Sequence, residues 1–220
     1  MHLIAFIFLL FIMVLRYFIF SGFFYYLSLR LKKTQPALFK DVDIKNSIKS
    51  SIVFAGVGVF FFYIIQAGFS KMSFKDLPYP IWYEGLSLAL FFLLQDAYFY
   101  WTHRLMHLVS FKKCHYAHHE SKHPSAWTSF AFHPLEALIQ AIFLPAFIMI
   151  IPIHVVTFFV GLAVMSFFGV TNHLGYEIYP TFLEKKLRII TANHHSVHHK
   201  QYNKNFGLFF TFWDRWMKTE

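Results

Sequence analysis

Cysteine is nearly absent: Cys114 stands alone in 220 residues. One thiol excludes a disulfide framework within the chain. It also excludes thiolate centres such as four-cysteine zinc or an iron–sulfur cluster, so any metal must be held by nitrogen and oxygen. Charge is scarce as well. With 14% charged residues against 57% hydrophobic ones, the chain is too apolar for an ordinary soluble domain of its length. Proline and glycine are few, at 8 and 9, and no repeat or low-complexity linker is visible, which excludes collagen-like and disordered chains. Acidic residues number 11 against 20 basic ones, a net charge of +9. The basic residues lie beside apolar stretches and accompany no nucleic-acid motif, so they read as membrane-flanking charge, and nucleic acid is not an expected partner.

What the chain has in quantity is apolar and aromatic surface: a mean hydropathy of +0.46, 22% aromatic residues and 31 Phe. Apolar stretches run from Leu3 to Leu29, Ser51 to Phe69 and Ile81 to Trp101, each long enough to cross the hydrocarbon at about 20 residues. Two shorter runs follow, Ala137 to Ile151 and Val155 to Val170, separated by Pro152, Ile153 and His154. They read either as two tilted spans or as a hairpin that does not quite cross. The first stretch lacks a basic n-region and a small-residue cleavage site and is expected to be a permanent helix. Arg16, inside it, is read as snorkelling or pairing within the bundle.

These runs predict an all-α, polytopic integral membrane bundle of about four to five membrane helices or hairpins, with a helical His-rich cap. The whole chain, 1–220, is expected to be one membrane domain, with N-terminal membrane helices in 1–80 and a His-rich region in 81–220. Lys and Arg concentrate in three connections. Residues 30–49 carry Arg30, Lys32, Lys33, Lys40, Lys45 and Lys49; residues 102–136 carry Arg104, Lys112, Lys113 and Lys122; residues 172–220 carry seven more. The opposite side keeps Lys71 and Lys75. With five crossings, or three and a dip, the basic segments share one face, which the positive-inside rule makes cytoplasmic. Twelve of the 14 His fall on that face, all but His2 and His154.

The histidines are clustered at helical spacing. His103 and His107 stand at i and i+4 just beyond the third stretch; His115, His118 and His119 stand at i, i+3 and i+4; and His195, His198 and His199 repeat that pattern near the C-terminus. Residues so spaced share a helical face. Neutral imidazole is the commonest protein ligand for iron, zinc and copper, and eight imidazoles exceed what one ion with about six positions can take, so two ions sharing a cage are expected.

The strings DAYFYWTHRLMH (96–107), HYAHHE (115–120), AFHPLE (131–136), TNHLGYE (171–177) and HHSVHH (194–199), in that order, resemble the membrane fatty acid hydroxylase and sterol desaturase superfamily over about residues 80–220. The resemblance implies an integral-membrane, non-haem di-iron oxygenase with two iron ions in an all-His cage and dioxygen as co-substrate. Its metal ligands would be His103, His107, His115, His118, His119, His195, His198 and His199, joined by His173 after the last apolar run. Some relatives have a second His four residues on; here that position is Glu177, either a carboxylate ligand or a position left to water. His133 before Pro134 is equally a distal ligand or a helix-start residue buried against Glu136. His123 before Pro124 reads as a loop residue, and His194, one residue off the ligand face, as solvent-facing or supporting a ligand. Asp96, two turns before His103, is placed to orient a ligand through a hydrogen bond. In the tail, Trp213 and Trp216 suit an interfacial aromatic belt, with Asp214 and Arg215 capping and pairing locally.

The implied reaction is hydroxylation or desaturation of a lipid such as a fatty acyl chain or sterol, within a membrane-lipid surround. With no haem domain, flavin fingerprint or iron–sulfur motif in the sequence, electrons are expected from an external donor, a redox partner protein that the basic face around Arg104 could dock. Two readings compete. A zinc or other metal transporter could carry cytoplasmic His clusters, but apart from Arg16 the spans lack the midplane ionisable groups it needs. An inactive lipid-binding scaffold is the other, disfavoured by the intact clusters.

Overall fold

A computed structural model describes residues 2–31, 33, 41–75, 78–108 and 111–220. Lys32 and Lys40 of the first basic connection lie outside the described residues. The chain is mostly helical. Helices α1 (His2–Arg30), α2 (Asp41–Gln66) and α3 (Trp82–Met106) come first. Then α4 (Lys112–His119), α5 (Pro134–Ala141), α6 (Phe143–Ile150) and α7 (Val155–Thr171) lead to three short helices, α8 (Thr181–Lys185), α9 (Ala192–Lys200) and α10 (Phe212–Trp216).

Two helices among the described residues, α1 and α2, are long and apolar enough to cross a membrane. They pack antiparallel: Leu9 lies against Gly58, while Tyr17 and Ser50 both donate hydrogen bonds to the Trp127–Phe130 segment. The buried stripe Ser21, Ser28, Ser47, Ser50 and Ser51 is small, so the two backbones approach closely, as helices in lipid do. α2 starts about three turns before the apolar stretch did, because Asp41, Asp43 and Asn46 form a polar first segment; Asp43 is buried and accepts from the Ser121 and Thr128 hydroxyls at 2.8 and 3.0 Å. α3 has the length expected of a third span but carries Glu84, Gln95 and Asp96. The run after Ala137 breaks at Ile142 into two 8-residue helices, and α7 has 17 residues, about 25 Å of helix at 1.5 Å per residue.

The chain is not purely helical: Met72–Ser73 pairs in parallel with Ile153–His154, tying the α2–α3 connection to the α6–α7 connection. This pairing marks one end of the bundle. At the other end, Ser28 of α1 meets Tyr176, Asp43 of α2 meets Ser121, and α3 and α7 deliver their C-termini, so the three basic connections gather there. Two apolar cores result. Phe91, Phe143, Phe147 and Phe158 build one around edge-on aromatic contacts near the β pairing. Tyr17, Phe24, Trp127, Phe130 and Val170 build the other beneath the His-rich end. The outer face of α1, including Leu3, Ile4, Phe8 and Phe11, is exposed, as a lipid-facing helix requires.

Candidate metal centre

Four elements deliver the histidines to that end. His103 sits in the last turn of α3 and His107 at its C-cap; α4 carries His115, His118 and His119; His173 follows α7; and α9 carries His195, His198 and His199. α9 begins at Thr191, whose side chain caps the His194 N–H, so the first turn is fixed before the three imidazoles are presented. All but His107 are buried, and the ring nitrogens fall into two groups, His103, His107, His115, His119 and His198 in one and His118, His173, His195 and His199 in the other, each within 4.8 Å.

Hydrogen bonding fixes which nitrogen looks inward in five of the nine rings. His103 Nδ1 donates to the Phe206 carbonyl at 2.9 Å, His173 Nδ1 to the Gly169 carbonyl at 2.6 Å, His198 Nδ1 to the Lys204 carbonyl at 2.6 Å and His199 Nδ1 to the Ser121 carbonyl at 3.1 Å. His115 Nδ1 donates to Glu136 Oε1 at 2.6 Å. A carbonyl can only accept, so Nδ1 carries the proton and Nε2 of a neutral ring is a bare lone pair. Burial first, and the neighbouring imidazoles next, hold His115, His118, His195, His198 and His199 well below the usual imidazole range. Burial likewise pushes His173 down to about 4. The rings are therefore neutral at pH 7.

In His103–His115, where both rings are anchored, bare lone pairs then face each other, and the remaining inward nitrogens crowd at the same spacing. Nε2 atoms are 2.9 Å apart in His103–His115 and His115–His119 and 3.0 Å apart in His119–His198. In the second group the separations are 3.1 Å for His118–His173 and His173–His195 and 3.2 Å for His195–His199. Lone pairs so placed repel unless a cation lies between them. Two ligand atoms at right angles on an ion with metal–nitrogen bonds of about 2.1 Å sit ~3.0 Å apart, whereas tetrahedral angles would spread them to ~3.4 Å. The spacing fits six-coordinate transition metals bound by imidazole, a description that suits iron.

Other candidates sit elsewhere. Asp96 does not reach a histidine: its Oδ1 accepts from the backbone N–H groups of Leu208, Phe209 and Phe210 at 3.3, 2.7 and 3.3 Å, so it holds the tail against α3. His133 is exposed and caps α5, its Nδ1 accepting from the Leu135 N–H. Glu177 Oε1 accepts from the Ile178 and Tyr179 N–H groups at 3.0 and 2.9 Å, which turns it into a local backbone cap outside both groups. His194 points to Asp214, 3.5 Å away, and His123 is an exposed loop residue. Asp214 accepts from the Phe206 and Gly207 N–H groups and thereby fixes the carbonyl that orients His103. Trp213 stacks on Tyr100 and Trp216 is exposed. Glu136, assigned no role of its own from sequence, supports His115; its one signal was the carboxylate in HPLE. The carbonyls of Phe206, Lys204, Ser121 and Gly169 have no sequence signal at all.

An apolar cavity of about 260 Å³ lies between the two cores. Phe99, Ser129, Phe132, Gly169 and Leu208 line both it and the smaller space against the histidines, so a chain-shaped ligand in the cavity would abut the imidazoles.

The fatty acid hydroxylase family matches residues 88–219, more than half of the chain and every residue of the two groups. The chain belongs to that family. Among curated relatives it is similar to lathosterol oxidase of Homo sapiens, 28% identical over 79% of this chain and 58% of the relative. It is also similar to the C-4 methylsterol oxidase of Schizosaccharomyces pombe, 32% identical over 69% and 51%, and to a Delta(7)-sterol 5(6)-desaturase of Gibberella zeae, 30% identical over 78% and 51%. The chain thus spans about half the length of the curated relatives it matches. No solved structure matches it.

Proposed function

We propose that this chain is a membrane-embedded, di-iron oxygenase that hydroxylates or desaturates a lipid. The observation that carries the proposal is the pair of buried Nε2 groups, spaced 2.9–3.2 Å, at the end of an apolar cavity. His103, His107, His115, His119 and His198 would hold one ion, and His118, His173, His195 and His199 the other. Two iron ions there would supply the activation of dioxygen that oxidation of an unactivated C–H bond demands. The chain's own part is placement and exclusion. Nδ1–H groups anchored on carbonyls in His103, His173, His198 and His199 and on Glu136 in His115 keep those rings in the ligating tautomer, the aromatic cavity walls hold the lipid body, and the closed packing of Phe99 and Phe132 around the imidazoles keeps bulk water from the reacting position.

The Lys and Arg excess at the His-rich end supports a multi-pass chain with that end cytoplasmic, α3 as a third span and α5–α7 as a hairpin or two tilted spans. Electrons would come from a redox partner at the same face. The relatives' names, sterol oxidases and a sterol desaturase, support a lipid substrate. Elemental analysis with Mössbauer spectroscopy of anaerobically purified, iron-57-loaded protein tests the proposal. About two coupled irons per chain are expected, lost in His118→Ala or His198→Ala. One metal or none under iron-replete expression overturns the dinuclear reading, and stoichiometric zinc moved across vesicles would put a transporter in its place.

A further inference from the structure

The cavity wall is aromatic and aliphatic except for the Arg16–Ser166 cluster and the side chains of Gln95, Ser129 and Gln140. Arg16, at the middle of α1, lines it, with Nη1 donating to Ser166 Oγ at 3.0 Å and Cζ 4.4 Å from the Phe130 ring. Its Nε is buried without a partner, and among the described residues no carboxylate lies within ion-pair distance of it. Gln140 lines the same cavity with both its Oε1 and Nε2 buried and unpartnered. Gln95, 2% exposed, lines it too and has a free Oε1.

A guanidinium in hydrocarbon without counter-charge is expensive, and the unpaired carboxamide of Gln140 and the unpaired Oε1 of Gln95 add to the cost. Polar groups so retained inside a membrane protein face a pathway or a ligand. A neutral hydroxyl would satisfy one hydrogen bond and leave the charge alone. A phosphate monoester would bring a second negative charge that no other cation of the cavity wall meets. A carboxylate matches the planar fork in charge and shape, and its second oxygen can accept from an amide N–H.

The position of the cluster sets the ligand's direction. Ser166 lies one helical turn before Gly169, whose carbonyl accepts from His173 and which lines both spaces. The cavity's other end, at Met72, Phe74 and Val155, is apolar and lies by the β pairing. Resting on the oxygenase reading of the same site, we infer that Arg16 is the head-group site for a lipid bearing a free carboxylate. The lipid lies head-first, so the carbons near its carboxylate, not those at its tail, face the imidazoles.

The test is equilibrium binding to the full chain in nanodiscs, metal-free and anaerobic, with radiolabelled palmitate and hexadecanol, which differ only at the head. Wild type is expected to prefer palmitate on the order of tenfold or more, the worth of one desolvated charge-assisted pair. Arg16→Gln should abolish the preference, palmitate binding falling about tenfold more than hexadecanol binding, with an unchanged Tm reporting an intact fold; Arg16→Lys should keep part of it. Equal binding of acid and alcohol by wild type, or an acid preference that survives Arg16→Gln, overturns the head-group site. Binding needs neither iron nor dioxygen. Two irons without acid preference would therefore remove this inference alone, and acid preference without iron would remove the oxygenase reading alone.

Discussion

Glu136 is the most informative residue to change, because it acts on one imidazole of one group. Its Oε1 accepts from His115 Nδ1 at 2.6 Å, and both side chains are buried. With an ion on His115 Nε2, the ring gains positive character and the carboxylate stabilises it. Glu136→Gln keeps an acceptor of the same shape but removes the charge. A charge-assisted bond is about twice as strong as a neutral one, a difference of about 1–1.5 kcal/mol, so affinity at the five-imidazole group should fall about tenfold. Glu136→Leu removes the acceptor and should cost 10- to 100-fold, the usual range for a residue that orients a metal ligand. The four-imidazole group shares no bond with Glu136 and should be untouched. Anaerobic ferrous titration against a competing chelator, resolved into two classes of site, reads both affinities. The metal-free Glu136→Leu protein should lose about 1–3 kcal/mol of stability, because the buried His115 Nδ1–H is left without its acceptor, so Tm is read beside the metal affinities. Unchanged affinity at both groups in Glu136→Leu, or an equal loss at both, would refute the assignment of the groups and the tautomer argument with it.

Acid should destabilise the metal-free chain. The unfolded imidazole takes up its proton near 6.5 and His173 only at about 4, so its contribution to stability is complete above about 6.5 and is lost as pH falls toward about 4; thermal unfolding from pH 7.5 to 4.5 checks the sign. The same neutrality means that ferrous uptake at pH 7 should release few protons, read by calorimetry in two buffers of different ionisation enthalpy. Gly207→Ala would place a Cβ 2.6 Å from the Phe210 carbonyl oxygen, backbone that cannot step aside, and should lower stability by about 1–3 kcal/mol, seen as a lower Tm. Asp96→Ala strands the three tail N–H groups it serves and should cost about 2–3 kcal/mol, with iron loading falling alongside as the adjoining Phe206 carbonyl loosens from His103; Asp96→Asn should recover most of both.

The chemistry was legible because it is written at helical spacing. His103 to His107, His115 to His119 and His195 to His199 are local patterns, and local patterns survive into structure whenever the segment is helical. The apolar runs were legible for the same reason, and α1, α3 and α7 begin or end within a few residues of them. What could not be read depends on partners far along the chain. Asp96 lies on the expected side of α3, yet backbone donors more than a hundred residues away occupy it before any histidine can. Glu177, in line with a ligand position of relatives, is taken by its own two following N–H groups. Arg16, read as snorkelling or pairing within the bundle, pairs there with a hydroxyl and a ring, and only the cavity beside it shows why that matters.

The spacing also conceals how the clusters divide. Each triplet shares a helical face, which suggests that each serves one ion as a unit. In the structure each is split: His115 and His119 join one group while His118 joins the other, and His195 and His199 join the second while His198 crosses to the first. Helix geometry accounts for it. At 100° per residue, position i+4 lies about 40° to one side of i and position i+3 about 60° to the other. Hence i and i+4 converge while i+3 diverges by about 100° from its neighbour, toward a second ion alongside. The two helices exchange one imidazole each, which locks α4 to α9 across the centre. The exchange is symmetric, but the supplement to it is not. The first group gains a pair, His103 and His107, from the end of α3; the second gains His173 alone, because Glu177 at i+4 is turned to the backbone. A centre so built is lopsided by one imidazole, five in one group against four in the other, and both groups, through His103 and His115 and through His118, His173 and His195, line the space that opens to the apolar cavity.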